Sequence, residues 1–339
     1  MSPKERFLNA LSLQKVDRVP IMYQHLGGSF HLQNITGITI AEGLRSASKH
    51  KRLCMSALTE FGFDNVMVGW GDLLAEAESL GAKVVYGDQR SYPMGKEINS
   101  DEIEMLEPVD PKDGSIWSVQ LQAAKELQEE IGDDVLVVAA MNDPFLVASM
   151  IRGLENLLMD QIVEPEKAHK ILGVVLTTLK EGARIMREEC GIDVIFLGDG
   201  VADSSQNDLV NSITFDISYS SELIRYMKRL GLKVILSNCT LNGYVEEQIN
   251  RCSPDAMHIA SEGKAYARAI DLIRGKRGLV AGISPTRKIL VMAPDEIEME
   301  ARKIVQNFGD SPGLILASAG EITPETPPEN ILALAHSIR

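Results

Sequence analysis

The chain has 339 residues, 45% hydrophobic and 24% charged, which fits a globular protein with a large core and excludes a disordered chain or a disulfide-stapled mini-protein. With 34 basic against 48 acidic residues the net charge is −14, which argues against a nucleic-acid binder. The apolar runs are too short to cross a bilayer, the first residues hold no apolar signal core, and the four cysteines show no paired spacing; a cytoplasmic protein with reduced thiols and no membrane partner is expected.

In chain order, Pro3 to Leu13 predicts a first helix, with Ser2 as N-cap, Pro3 at its first position and Phe7, Leu8, Ala10 and Leu11 as its apolar stripe. A strand is predicted at Arg18 to Tyr23, followed by a helix over Ala41 to Phe61. Asn65 to Val68 reads as the second strand. The stretch from Leu80 to Pro111 is less regular. Trp117 to Ile131 predicts a helix and Val135 to Ala140 the third strand. Helical patterns at Leu154 to Met159 and Glu166 to Glu189 lead to a fourth strand at Val194 to Leu197. The remaining strands are Lys233 to Leu236, Ala256 to Ala260, Gly278 to Ala281 and Gly313 to Ala317. Helices are predicted between them, over Asp216 to Leu230, Gly243 to Arg251, Tyr266 to Ile273 and Pro294 to Phe308.

Eight strands alternating with helices predict parallel βαβ units closed into one (β/α)8 TIM barrel over residues 1–339, with the first helix as an N-terminal extension. A dinucleotide-binding sheet is disfavoured, because Gly27-Gly28 lacks the spacing of a phosphate-binding turn. Barrel chemistry sits at the carboxyl ends of the strands. The residues there are Gln24 and His25, Trp70 and Asp72, Asn142 and Asp143, Asp199, Asn238 and Cys239, Ser261 and Glu262, Ser284, and Ser318 with Glu321. Several have plain structural roles open to them. Asp143 before Pro144 suits a helix N-cap. His258 inside a strand suits a core histidine, and Cys239 a small packed side chain. Asp199 before Gly200 suits a turn. His31, His50, His169 and His336 read as surface or loop residues, and Cys54, Cys190 and Cys252 as packing.

The opening Lys4-Glu-Arg-Phe-Leu-Asn-Ala-Leu with Lys15-Val-Asp-Arg-Val-Pro20 resembles the start of the uroporphyrinogen decarboxylase superfamily. Gly313 to Glu321 with Thr323-Pro-Glu-Thr-Pro-Pro-Glu-Asn330 resembles its last strand and Pro-rich turn, and Leu232 to Cys239 its fifth strand. The resemblance implies a barrel that either decarboxylates uroporphyrinogen or moves methyl groups to or from corrinoid proteins. The decarboxylase branch carries arginine after the first strand for a many-carboxylate substrate, whereas Ile21 to Phe30 here holds none. That favours the methyltransferase branch.

Its thiol-methylating members use zinc held by a His-x-Cys pair and a Gly-Cys-Gly turn. Here these read Ser237-Asn238-Cys239 and Ala319-Gly320-Glu321. The resemblance therefore implies an enzyme that takes a methyl group from a small donor, such as a methoxylated aromatic, to the cobalt of a separate corrinoid protein. His25, Asp199 and Glu262 are its catalytic candidates. Gln24, Trp70, Asp72 and Asn142 are its substrate-binding candidates. Cys239, Glu262 and Glu321 are the ligands for a rearranged metal site, zinc among the candidates. Two alternatives stay open: methyl transfer to a thiol through that site, and a barrel that only binds. A homodimer stays open as the assembly.

Overall fold

The computed structural model of the chain describes residues 1–24, 29–69, 75–86, 91–93 and 100–338. Its strands are β1 (Asn65–Val68), the antiparallel hairpin β2 (Val84–Tyr86) and β3 (Ser91–Pro93), then β4 (Leu136–Asn142), β5 (Val194–Gly198), β6 (Lys233–Ser237), β7 (Ala256–Ala260), β8 (Gly278–Ile283) and β9 (Leu314–Ser318). Apart from the hairpin, they form one parallel sheet in the order β1-β4-β5-β6-β7-β8-β9, with helices in the crossovers. Each strand is almost wholly buried, as a sheet covered on both faces requires.

The expected first strand, Arg18 to Tyr23, forms only one bridge, Ile21 with Leu316. It still closes the barrel. On one side Met22 N–H donates to Leu316 O (2.7 Å) and Leu316 N–H to Pro20 O (2.9 Å). On the other, one backbone bond, Asp64 N–H to Ile21 O (3.1 Å), is joined by side chains: Ile21 N–H donates to Asp64 Oδ2 (2.8 Å) and Tyr23 N–H to Asn65 Oδ1 (2.8 Å). Pro20 has no N–H to offer, which shortens the regular pairing.

Two apolar layers follow from strand alternation. Met22, Met67, Val138, Ala140, Phe196, Ile235, Ala256, Val280 and Ala317 fill the barrel interior. Their sequence neighbours Ile21, Val137, Ile195, Leu236 and Met257 face the surrounding helices. Helix Pro3–Leu11, started by a Ser2–Glu5 capping box, contributes Phe7, Ala10 and Leu11 to the interior layer. The N-terminal extension is thus the barrel's floor. Arg6 on that helix pairs with Asp17 (2.6 Å) and the buried Asp64 (2.7 Å), and Arg18 pairs with Asp64 (2.8 Å). These bonds explain Arg6, Asp17 and Arg18 of the opening motif.

Two expected helices and one residue differ. The helix over Ala41 to Phe61 is two helices, Ile40–Gly43 and Ala47–Phe61, because Ser46 between them takes extended backbone (φ −148°). The helix expected from Asp216 begins at Leu209, capped by Asp208, and passes through a π turn at Ser212–Ile217 before Ser218–Arg229. His50 is buried, at 4% exposure, since it shares the apolar face of its helix with Leu53, Cys54 and Ala57.

Candidate functional site

The interior layer becomes polar at the carboxyl ends of the strands. By alternation from Met22, Ala140, Ile235 and Ala256, the next inward positions are Gln24, Asn142, Ser237 and His258. All four are buried, and all have neutral side chains in this setting. Cys239 continues the parity of Ser237.

Ser237 and His258 are direct partners in the β6–β7 register. His258 Nε2 lies 2.8 Å from Ser318 O. A carbonyl oxygen only accepts, so Nε2 carries the proton and Nδ1 accepts from Ser237 Oγ at 2.8 Å. Burial pushes the His258 pKa down to about 4, which keeps the ring neutral at neutral pH. The ring also packs against Phe196, with centroids 5.3 Å apart. Cys239 Sγ is 3.5 Å from Nδ1 and 3.6 Å from Nε2, so it lies over the ring and not in line with either nitrogen. Enclosure pushes its thiol up to about 12.

Asn142 is held by an acid that the sequence reading did not single out. Its N–H and its side-chain amide donate to the two oxygens of Glu76, at 2.9 and 3.0 Å. Glu76 is buried, and desolvation raises its pKa. Gln24 Oε1 accepts from Gly320 N–H (3.1 Å), which fixes the turn after β9.

The other candidates are placed differently. His25, Trp70 and Asp72 lie outside the described residues. Asp199 follows the outward parity of Ile195 and Leu197, so it faces the helices and not the barrel interior. Its Oδ1 accepts from Val201 N–H (3.0 Å) and Ala202 N–H (3.2 Å), and its Oδ2 from Gln248. Burial and the neighbouring Asp143 raise its pKa to about 8. Asp143 is the N-cap of helix Pro144–Arg152, as its place before proline implies. Glu262 precedes helix Gly263–Ile273 and pairs with Arg287. Glu321 is exposed, near enough to Tyr23 to help raise its pKa.

The fit to zinc was tested on these donors. With zinc–sulfur at about 2.3 Å and zinc–nitrogen at about 2.0 Å, adjacent tetrahedral ligands stand about 3.5 Å apart. The Cys239–His258 separation matches that value, but the Nδ1 lone pair is bonded to Ser237. Among the described residues the one group of three His, Cys, Asp or Glu ligands in reach of a common ion is Asp143, Asp199 and Asp216. Cys239, Glu262 and Glu321 are not drawn to one point, so the described residues do not make a zinc site. Glu262 is committed to Arg287, and Glu321 stands outside.

Fold and site together define a (β/α)8 barrel with an uncharged polar ring and one thiol at its mouth. The chain belongs to the uroporphyrinogen decarboxylase family, whose profile, "Uroporphyrinogen decarboxylase (URO-D)", matches residues 2–339. It is 25% identical to the methylcobamide:CoM methyltransferase MtbA of Methanosarcina mazei, over 97% of this chain and 95% of that one. It is 23% identical to methylcobamide:CoM methyltransferase MtaA of Methanosarcina barkeri, over 98% and 96%. A solved methyltransferase from Methanosarcina mazei shares its fold at a TM-score of 0.89, with 23% identity over 99% of this chain and 98% of that one.

Proposed function

We propose that this protein is a corrinoid-dependent methyltransferase that takes a methyl group from a small oxygen-bound methyl donor, such as a methoxylated aromatic, to the cobalt of a separate corrinoid protein. The observation that carries this reading is the uncharged inner ring of Gln24, Asn142, Ser237 and His258. Among the described residues the one buried Lys or Arg is Arg6, at the opposite end of the barrel. A substrate with many carboxylates would find no guanidinium partner in such a ring, whereas a small neutral donor needs none. The names of the methylcobamide:CoM relatives support corrinoid chemistry.

The rim suits a large apolar partner. Leu209, Val210 and Leu241 are exposed there, at 38, 72 and 52%. The loops that lead to them are tied by Ser204 N–H to Asn242 O (3.2 Å) and Tyr244 N–H to Ala202 O (2.9 Å).

When bound, the corrinoid supplies the nucleophile for the methyl carbon. This chain holds the donor, excludes water and manages the proton that the departing oxygen takes with its electron pair. The Ser237 hydroxyl, its proton held by neutral His258, is an acceptor at the ring. His25, next to Gln24 in the sequence, is the proton donor in this reading. Asp199 faces away, so its share is to hold the rim.

Transfer to a thiol is a second reading, supported by the names of the methylcobamide:CoM relatives. One experiment separates the two. The purified protein is given cob(I)alamin with a panel of methoxylated aromatics, and separately methylcobalamin with coenzyme M, with metal content measured. Methylcobalamin formation from an ether supports the first reading. Methylation of the thiol alone, with stoichiometric zinc, replaces it with the second. No transfer in either arm overturns both.

A further inference from the structure

Behind the mouth, on the helix side of the sheet, lies a second group of side chains that the methyl-transfer reading does not use. Asp143 and Asp199 extend the outward parities of β4 and β5, and Asp216 reaches them from the π turn Ser212–Ile217. Their exposures are 0, 4 and 1%. One oxygen from each lies within 4.8 Å of the others.

We propose that Asp143, Asp199 and Asp216 bind one hard divalent cation, of the Mg²⁺, Mn²⁺ or Ca²⁺ kind, that clamps the ends of β4 and β5 to the helix carrying Asp216.

Acid clusters alone do not make a site; here two further oxygens point to a ligand. Asp216 meets the Asp143 carboxyl, its Oδ1 accepts from no N–H or hydroxyl despite its enclosure, and Ser212 Oγ, at 1% exposure, has no partner. Ser212, Asp216 and Ser220 are spaced by four residues, which places them on one stripe of the helix. Ser220 Oγ donates to Asp143 Oδ2 at 2.7 Å, and that bond fixes where the stripe faces. Both unpartnered oxygens therefore lie on the stripe that meets the two strand-end carboxylates. Enclosed oxygens without partners are rare, and an ion is a standard reason for them.

Spacing and donor type agree with a hard cation. Metal–oxygen distances of about 2.0–2.1 Å for Mg²⁺ and about 2.3–2.6 Å for Ca²⁺ put opposite ligands of one ion about 4–5 Å apart. All-oxygen donors select Mg²⁺, Ca²⁺ or Mn²⁺ over zinc. Burial, with mutual repulsion at Asp199 and Asp216, pushes all three carboxyl groups up. The groups that donate to Asp143 and Asp199 are uncharged: Leu146 N–H (2.8 Å), Ser220, Val201 N–H, Ala202 N–H and Gln248. They orient the carboxyl groups, and a bound cation would replace the protons these groups hold. The ion would hold together the segments that follow β4 and β5, and with them Asn142 of the inner ring. The inference stands whether or not the methyl-transfer reading does.

The test uses the full chain after treatment with a chelator. Calorimetric titration with MgCl₂, MnCl₂ and CaCl₂ in turn is expected to show one ion per chain for at least one of them, with a rise in Tm. Asp216→Asn keeps the shape of the side chain and removes its negative charge. It is expected to weaken binding by about 100-fold or more, and Ser212→Ala by about 10-fold, the upper and lower ends seen when groups around a bound metal are removed. No saturable binding of any of the three ions by the folded wild type overturns the proposal, as does wild-type affinity in Asp216→Asn. Should that variant fail to fold, Ser212→Ala decides, since it deletes a hydroxyl that makes no hydrogen bond; unchanged affinity there overturns the proposal.

Discussion

Glu76 receives both hydrogen-bond donors of Asn142, the N–H at 2.9 Å and the side-chain amide at 3.0 Å. This pairing ties the short helix Ala75–Ser79 to the end of β4 and aims one residue of the inner ring. Glu76→Ala strands two enclosed donors, so it is expected to cost about 2–4 kcal/mol of stability. Glu76→Gln keeps one acceptor and is expected to cost less than half of that. Urea unfolding of both variants checks the order; equal losses would mean that the bonds to Asn142 carry little.

His258 gives a pH dependence with a defined sign. Its pKa in the fold is pushed down to about 4 from the ordinary 6.5, so between these values the unfolded chain binds a proton that the folded one refuses. The stability that the neutral ring contributes is fully present above pH 6.5 and is lost as pH falls through 4. The stability lost in His258→Gln is therefore expected to shrink as pH drops from 7 toward 4. An NMR titration of the imidazole checks the cause, and a midpoint near 6.5 would refute the enclosed neutral ring.

Asp64 is the shared anion of the barrel floor, bonded to Arg6 (2.7 Å), Arg18 (2.8 and 2.9 Å) and Ile21 N–H (2.8 Å). Asp64→Ala leaves the buried Arg6 with Asp17 as its remaining carboxylate and opens the seam beside Pro20. The expected loss is about 3–5 kcal/mol, the usual effect of removing one partner of a buried ion pair. Asp17→Ala, at a half-exposed partner, is expected to cost under about 1 kcal/mol, because solvent screens that side. Guanidinium denaturation of the two variants gives the comparison.

Gly182 faces the Trp117 ring across two packed helices, and a Cβ there would overlap the ring carbons. Gly182→Ala must push a fully enclosed indole aside, at an expected cost of about 1–3 kcal/mol. Changed tryptophan fluorescence should accompany the loss. A variant with wild-type stability and emission would show that the helices separate freely.

Much of the architecture is local and was readable in the chain. Strand runs such as Ala256–Ala260 and helix stripes such as Pro294–Phe308 follow from period-two and period-3.6 patterns, which need no knowledge of neighbours. Asp143 as an N-cap followed from the proline after it. The family was legible from its end motifs, and Arg6 and Arg18 of the opening motif have their reason in Asp64.

Facing and company were decided only by the tertiary structure. Asp199 and Cys239 both stand just past a strand end, but one step of alternation turns the first toward the helices and the second toward the interior. The sequence shows neither where a strand stops nor which parity faces inward. His258 reads as an isolated core histidine until β6 and β7 pair and set it beside Ser237. Asp216 and Glu76 gain their meaning from residues 73 and 66 positions away, Asp143 and Asn142. Hydrogen bonding and desolvation act through space, so contacts across the barrel, absent from any local pattern, set what these carboxyls do.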